Sequence, residues 1–342
     1  MATVSVSILG MGRVGASVAL ALRRYSARKD AQHTFAVTCA DMRPGIREDA
    51  AKVGIDKVER DLFDAVRGRD VVVMALPYAD VQTAYKEIGA QLRSGAVLLD
   101  YSPLKMPSLE WAKKHLTGGA HLVGIAPILN PAYLFDELDD TLHAHADLFD
   151  KGNMLLMPGA SVAREAVELA SDFCSLLGAS PHFFDPAEYD SLVAVTEGLP
   201  AALGVAVFHM LMGSAGWADT QRVTNPSFGR LTHHLYDTHP DDLRDLFLNN
   251  RDALARKLDE TITHLQDLRN VLIRDDRAAI EAMLISASEE YSGWVNRRHS
   301  ARWDEAESNS SQTPSMGGMV MGGLMGGFLS KRFGGKDKDT KS

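Results

Sequence analysis

Apolar and polar residues alternate along positions 4–9, give way to glycines at 10, 12 and 15, and then recur at helical spacing to about position 27. A period of two predicts a strand, and a spacing of three to four predicts an amphipathic helix. A second apolar run at 34–40 stops at Asp41, and the succession then repeats. A buried strand is expected at 70–76, closed by Pro77, with a helix to about 92. Strands at 96–100 and 121–126 flank a helix at 105–115. Positions 153–157, 161–177 and 182–185 complete the series as strand, helix and strand. Strands alternating with helices predict an α/β domain with a doubly wound parallel sheet, covered on both faces. In such sheets ligands bind beyond the carboxyl ends of the strands, so Leu76, Pro77 and residues 100–105 and 126–130 are expected to ring a crevice.

From position 187 the pattern changes to long helices. Residues 189–212 are almost continuously apolar or small, too apolar for a helix with one wet face, which places them inside a domain core or a dimer. Leu254, Leu258, Ile262, Leu265, Leu268 and Leu272 recur at helical spacing and are read as a core-facing stripe. A last helix is expected at 276–303, and the polar stretch 305–313 reads as a linker. Residues 316–333 mix Met, Leu, Val and Phe with paired glycines and end in Lys331 and Arg332. A terminal segment of this kind is expected to be disordered, with docking on a membrane surface or another protein as the alternative.

The chain has 342 residues and a formal charge of -9, which argues against a nucleic-acid partner. Its two cysteines, Cys39 and Cys174, fall in a strand and a helix and offer neither a disulfide framework nor a metal spacing, as expected of packed thiols in a reducing, cytoplasmic setting. Positions 1–3 lead straight into the first strand, so no leader is expected. No stretch of about 20 apolar residues is expected to cross a bilayer.

Gly10, Met11, Gly12, Arg13, Val14 and Gly15 form a GxGxxG element with a strand before it and a helix after it, the context of a dinucleotide site. Gly10 permits the tight turn, Gly12 lets the backbone approach a pyrophosphate, and Gly15 lets helix and strand pack closely. The first amides of the helix then face phosphate. Asp41 would accept hydrogen bonds from the adenosine ribose, which selects NAD, while Arg43 beside it leaves NADP open.

Further elements extend the pattern. Asp100 and Lys105 fit an Asp-x-x-Ser-x-Lys segment, Gly124 and Pro127 a Gly-x-His-Pro-Met, and Gly216, Asp219 and Arg222 a Gly-x-x-Asp-x-x-Arg. Asp190, Ala194, Leu199 and Pro200 fit the opening of a helical domain. Pro240, Leu243, Phe247 and Asn250 fit a Pro-x-x-Leu-led pattern. In these elements the chain resembles the prephenate and arogenate dehydrogenases, enzymes of tyrosine biosynthesis. The resemblance covers about residues 4–275. It implies a Rossmann-type NAD(P)-binding domain over 1–185, an all-α substrate and dimerisation domain over 186–303, and a flexible Gly/Met-rich tail over 304–342. It also implies a homodimer and oxidation of a small carboxylated substrate.

The departures from the family fall on the chemistry. Ala126 stands where the resemblance places the histidine that engages the substrate hydroxyl. Glu197, Gly198, Leu199, Pro200 and Ala201 replace a Ser-His-Leu-Pro-His run, Pro103 replaces the serine before Lys105, and Ala218 replaces a second arginine. The oxidised hydroxyl still needs a proton acceptor and the carboxylate still needs a cation. Lys105 and Glu197 are the expected catalytic groups, and Arg222 and Ser102 the expected substrate contacts. His209, His233 and His234 are weaker candidates for a relocated base, each read first as a packed or surface residue. Residues 135–151 are acidic and carry His143 and His145. Their position suits a lid, but their charge density reads first as a solvated, flexible loop, and no metal site is expected. Two other functions fit the altered residues: a dehydrogenase of another carboxylated alcohol, and a non-catalytic dinucleotide-binding sensor or assembly protein.

Overall fold

The computed structural model describes residues 2–136 and 138–300, so the linker and the Gly/Met-rich tail lie outside the described residues. The chain opens with β1 (Ala2–Leu9), α1 (Arg13–Ser26), β2 (His33–Ala40), α2 (Ile46–Lys52), β3 (Val58–Glu59) and α3 (Leu62–Val66). It continues with β4 (Val71–Met74), α4 (Tyr78–Ile88), β5 (Val97–Asp100), α5 (Lys105–His115), β6 (His121–Ile128), β7 (Asn153–Pro158), α6 (Arg164–Leu176) and β8 (Ser180–Phe183). The eight strands form one sheet in the order β3-β2-β1-β4-β5-β6-β7-β8.

β1 to β6 run parallel, whereas β7 pairs antiparallel with β6 and β8 follows β7. The expected all-parallel sheet is therefore reversed at one edge. Between β6 and β7 the described residues form two single 3-10 turns, Pro131–Tyr133 and Thr141–His143, but no α-helix, and a parallel return needs such a crossover. Side chains alternate across the sheet: Val6, Ile8, Val71, Val73, Leu99 and Ile125 enter the core on one face, and Leu9, Val72, Met74 and Leu98 the core on the other. Burial on both faces explains why β4 reads Val-Val-Val-Met without polar interruption. Cys39 and Cys174 are buried, and burial pushes their thiols up to about 11 and about 12.

The helical half comprises α7 (Pro186–Val193), α8 (Leu199–Met212), α9 (Trp217–Thr220), α10 (Pro226–Thr232), α11 (His234–Asp237), α12 (Pro240–Asn249), α13 (Arg251–Ile273) and α14 (Arg277–Ser300). Among the described residues, 2–284 form one compact unit and 285–300 a second.

Two expectations are corrected here. α7, a single π turn (Ala194–Gly198) and α8 make one continuous helix, Pro186–Met212, that is long and apolar enough to cross a membrane by length and composition, although only 28% of its most apolar stretch is buried. The leucine stripe of α13 is not core within the chain: Leu254 is buried, but Ile262, Leu265 and Leu272 are exposed. Helical periodicity reveals an apolar face but not what covers it.

The three glycines of the loop differ in what they do for the fold. Gly10 has a φ of +90°, and a Cβ there would lie 2.1 Å from the Ala75 carbonyl oxygen. At Gly15 a Cβ would meet the Gly10 carbonyl oxygen at 1.9 Å, whereas at Gly12 nothing lies within 4 Å. Gly10→Ala and Gly15→Ala should each cost about 3 kcal/mol or more in urea unfolding, from strain and overpacking. Gly12→Ala should cost about 1 kcal/mol or less, as a poorer N-cap. Equal losses at all three positions would contradict this division.

Candidate active site

The glycine loop packs against the ends of β2 and β4, where the Gly10 N–H donates to the Ala40 carbonyl and the Ala75 N–H to the Leu9 carbonyl, and Asp41 ties that loop down. Its Oδ2 accepts the Met11 N–H at 2.7 Å and the Arg43 Nη2 at 2.7 Å, while Oδ1 accepts the Arg43 N–H and Nε. Burial opposes the charge on Asp41. The bonds from Arg43 and Met11 outweigh it and hold the carboxyl below its ordinary range. Met11 serves the fold: its side chain is fully buried, and its carbonyl accepts the Thr141 hydroxyl at 2.6 Å. The backbone amides at the start of α1 have no intrahelical acceptor, as at every helix N-terminus, and are the groups left for a phosphate. Leu76 and Pro77 stand beside the loop at the end of β4, half-buried.

The segment between β6 and β7 is not the solvated loop that its charge suggested. Arg13 turns its side chain into it, donating from Nε to the His143 carbonyl, from Nη1 to the Leu138 carbonyl and from Nη2 to Asp136 at 2.5 Å. The Ser17 hydroxyl accepts the His145 N–H, and Leu148 and Phe149 enter the core. Alternating acid with buried apolar residues let the acids dominate the reading, while the buried guanidinium that neutralises them lay far away in sequence. His143 and His145 do not converge on a metal: His143 pairs with Asp140 at 2.7 Å and His145 stacks on Tyr133.

Lys105 is 1% exposed, and its ammonium donates to the carbonyls of Asp100, Ser102 and Ile125. Burial pushes its pKa down to about 8, with Asp100 and Asp190 pulling it back up. Three carbonyl acceptors engage its N–H bonds, which favours the ammonium form against the effect of burial and occupies the group below the crevice. It is thus not placed as the expected base. Ser102 is likewise turned inward: its hydroxyl pairs with Ser108 at 2.8 Å, and its N–H donates to Asp100. Substrate contact through that hydroxyl is withdrawn for the same reason. Asp190 accepts the N–H groups of Lys105 and Met106, capping α5 from the helical half, and its own carbonyl accepts Asn250.

Glu197 sits in the π turn between α7 and α8, a feature that no spacing in the sequence reveals. The extra residue in such a turn re-aims its side chains, and π turns recur at functional sites. The Glu197 carboxyl is open to solvent but walled by protein, which raises its pKa. Neighbouring Asp139 raises it further, and His233 lowers it. Asp139 in turn lies within the field of Arg13 at the start of α1, while Tyr189, which feels Glu197, stacks 5.7 Å from the Lys105 ammonium. Glu197, itself exposed, thus lies within the electrostatic reach of Asp139, Tyr189 and His233. Arg222 is not brought there: its side chain is 77% exposed, with Asp219 at 3.6 Å. An exposed guanidinium on a short turn is not the expected carboxylate anchor within a single chain.

Residues 18–182 match the family model described as prephenate dehydrogenase, nucleotide-binding domain, and residues 185–285 the one described as prephenate dehydrogenase, dimerization domain. A cyclohexadienyl dehydrogenase of Zymomonas mobilis is 23% identical over 274 residues, covering 79% of this chain and 89% of that protein. A prephenate dehydrogenase of Bacillus subtilis is 22% identical over 277 residues, covering 80% and 71%. Among solved structures, the prephenate dehydrogenase of A. aeolicus in complex with hydroxyphenyl propionate and NAD+ superposes with a TM-score of 0.69 at 19% identity, covering 85% of this chain and 98% of that one. The Synechocystis arogenate dehydrogenase gives 0.60 at 17% identity, covering 85% and 99%. At these identities the structural likeness speaks for the fold alone.

Lys105→Met should destabilise the protein by about 3–5 kcal/mol in denaturant unfolding, because it strips a buried cation from three carbonyls and from the Asp100 and Asp190 carboxylates. A change below about 1 kcal/mol, of the size found at ordinary surface sites, would show that the ammonium does not hold this end of the sheet.

Proposed function

The chain belongs to the prephenate dehydrogenase family, and on that premise we propose that it is an NAD-dependent dehydrogenase acting on a small carboxylated ring alcohol of the prephenate or arogenate kind. The observation that carries the reading is Gly12, where a Cβ would stand in open space and φ is an ordinary -65°. The fold does not require glycine there, but a backbone that must come close to a pyrophosphate does. The match of the helical half to a dimerization domain gives the exposed apolar faces of α8 and α13 a partner, and the active form is a homodimer.

When bound, NAD supplies the hydride acceptor. The amides at the start of α1 would hold its pyrophosphate and Asp41 its adenosine ribose. Both Asp41 oxygens engage the Arg43 guanidinium, so the ribose hydroxyls would take the places of Nε and Nη2 while the N–H groups of Met11 and Arg43 stay. Arg43, so released, would be free to meet a 2′-phosphate, which leaves NADP admissible.

Glu197 is the group left to take the substrate hydroxyl proton, onto a carboxylate oxygen. Its raised pKa makes it a stronger base than a free glutamate, and it must be ionised to act. Lys105 and Ser102 position the crevice without touching the substrate. Arg13 holds the segment that closes the crevice over the glycine loop.

Purified protein should form NADH from NAD with prephenate or arogenate, and Gly12→Ala should abolish saturation by NAD while leaving the fold intact. Binding of NAD without turnover on either substrate or on a panel of hydroxy acids would favour a non-catalytic sensor instead.

Glu197→Gln should lower kcat by about 10²- to 10⁴-fold, the usual contribution of a positioned base, with little change in KM. In the unaltered protein kcat should fall as the pH drops through a pKa above that of an ordinary glutamate, and this acidic limb should be missing in the variant. An acidic limb retained in Glu197→Gln would assign the proton to another group.

A further inference from the structure

α10 and α11 pack on α8 so closely that a Cβ at Gly204 would lie 2.4 Å from the Leu231 carbonyl oxygen. This packing fixes the turn that joins them, which carries His233 and His234 as consecutive residues and Asp237 one helical turn on. The two imidazole rings lie 3.8 Å apart between centroids, and a ligand atom from each of the three side chains falls within 4.8 Å of the others. All three residues are half-buried.

Bonds to neighbours outside the cluster orient two of the three. His233 Nδ1 lies 2.8 Å from the Arg230 carbonyl oxygen, to which it donates, and this sets the tautomer so that Nε2 presents a lone pair. Asp237 Oδ1 accepts the Thr238 hydroxyl at 3.0 Å, which leaves its other oxygen outward. A histidine whose second nitrogen bonds a backbone carbonyl is the usual form of a metal ligand.

We propose that His233, His234 and Asp237 bind a divalent transition-metal ion of the zinc type, with two nitrogens and one oxygen from the protein and the remaining coordination open. Two imidazoles and one carboxylate suit zinc, cobalt or nickel better than magnesium or calcium, which take oxygen donors.

Placement gives the ion a use. His233 and Asp237 lie within the fields of Glu197 and Asp139, the other ionisable groups of the crevice. Ala218 stands where the resemblance places a second arginine, and Ala126 and Ala201 where it places histidines, and none of the three can carry charge. A bound dication with an open position supplies the missing positive charge and can take a substrate carboxylate oxygen directly. The site stands on its own geometry, while this use of it rests on the dehydrogenase reading.

The test is zinc binding to the full-length protein, stripped with a chelator and followed by isothermal titration calorimetry, with the visible absorption of added cobalt as a second readout. One equivalent per chain is expected, with cobalt bands typical of four or five ligands. His234→Ala and Asp237→Asn should each weaken the binding at least tenfold with unchanged circular dichroism. His182→Ala, an exposed histidine elsewhere, should leave it unchanged. Absence of a saturable equivalent, or binding that survives both substitutions, overturns the site even if NADH formation is robust. Zinc binding as expected in a protein without turnover supports the site and counts instead against the dehydrogenase reading.

Discussion

The Lys105 ammonium is the interaction on which the crevice depends. It reaches under the carboxyl ends of β5 and β6 and draws the carbonyls of Asp100, Ser102 and Ile125 to one point. Edge-to-edge hydrogen bonding sets the spacing of strands but not how their ends splay, and a buried cation with three carbonyl acceptors fixes that. Its charge is tolerable because Asp100, held by Tyr85 and the Ser102 N–H, and Asp190 lie close by. Two carboxylates and one ammonium in a dry setting are weak evidence for stability, but leaving any one of them unpaired would be costly.

Asp190 carries that geometry into the helical half. By capping α5 with both oxygens it makes the start of α7 a fixed point relative to the sheet, and Asn250 binds its carbonyl from the start of α13. Two more polar ties act in parallel: Asp242 caps α4 through the Ala79 N–H, and Asn249 donates to the Tyr78 hydroxyl. With α7 pinned at one end and α8 committed to packing on α10, the extra residue of the π turn is absorbed at Ala194–Gly198. Glu197 is aimed by that accommodation, not by any bond of its own.

The sheet was legible because burial on both faces writes continuous apolar runs, and α1 and α5 were legible from their periodicity and the glycines and prolines around them. What escaped was everything set by distant partners. The reversal of β7 depends on a connection without a helix, and the Arg13 clamp joins residues separated by 123 to 130 positions. Lys105 sits where the motif places it and Ser102 one residue before the motif's serine, but their side chains turn under the crevice and not into it. A motif states which residues occur together, while hydrogen-bond partners decide which way each points. His233 and His234 were judged singly as surface histidines. Their proximity to Asp237 is visible in the spacing, since residues three and four apart share a helix face, but the carbonyl that orients His233 is a matter of backbone geometry.

Gly12 and the crevice residues answer to different constraints. Gly10 and Gly15 are demanded by the fold, whereas nothing in the fold requires glycine at 12. Where the resemblance places histidines, the opposite half carries Ala126, Gly198 and Ala201, with a carboxylate at Glu197. A pocket whose near groups are Asp139, Glu197 and Asp237 is acidic, and an anionic substrate approaching it meets repulsion unless positive charge is supplied. Arg13 cannot supply it, because its three nitrogens are spent on the segment it holds. Lys105 cannot either, because its ammonium faces three carbonyls below the surface. On the dehydrogenase reading, an ion on the paired histidines would supply that charge from residues that one chain brings together by itself.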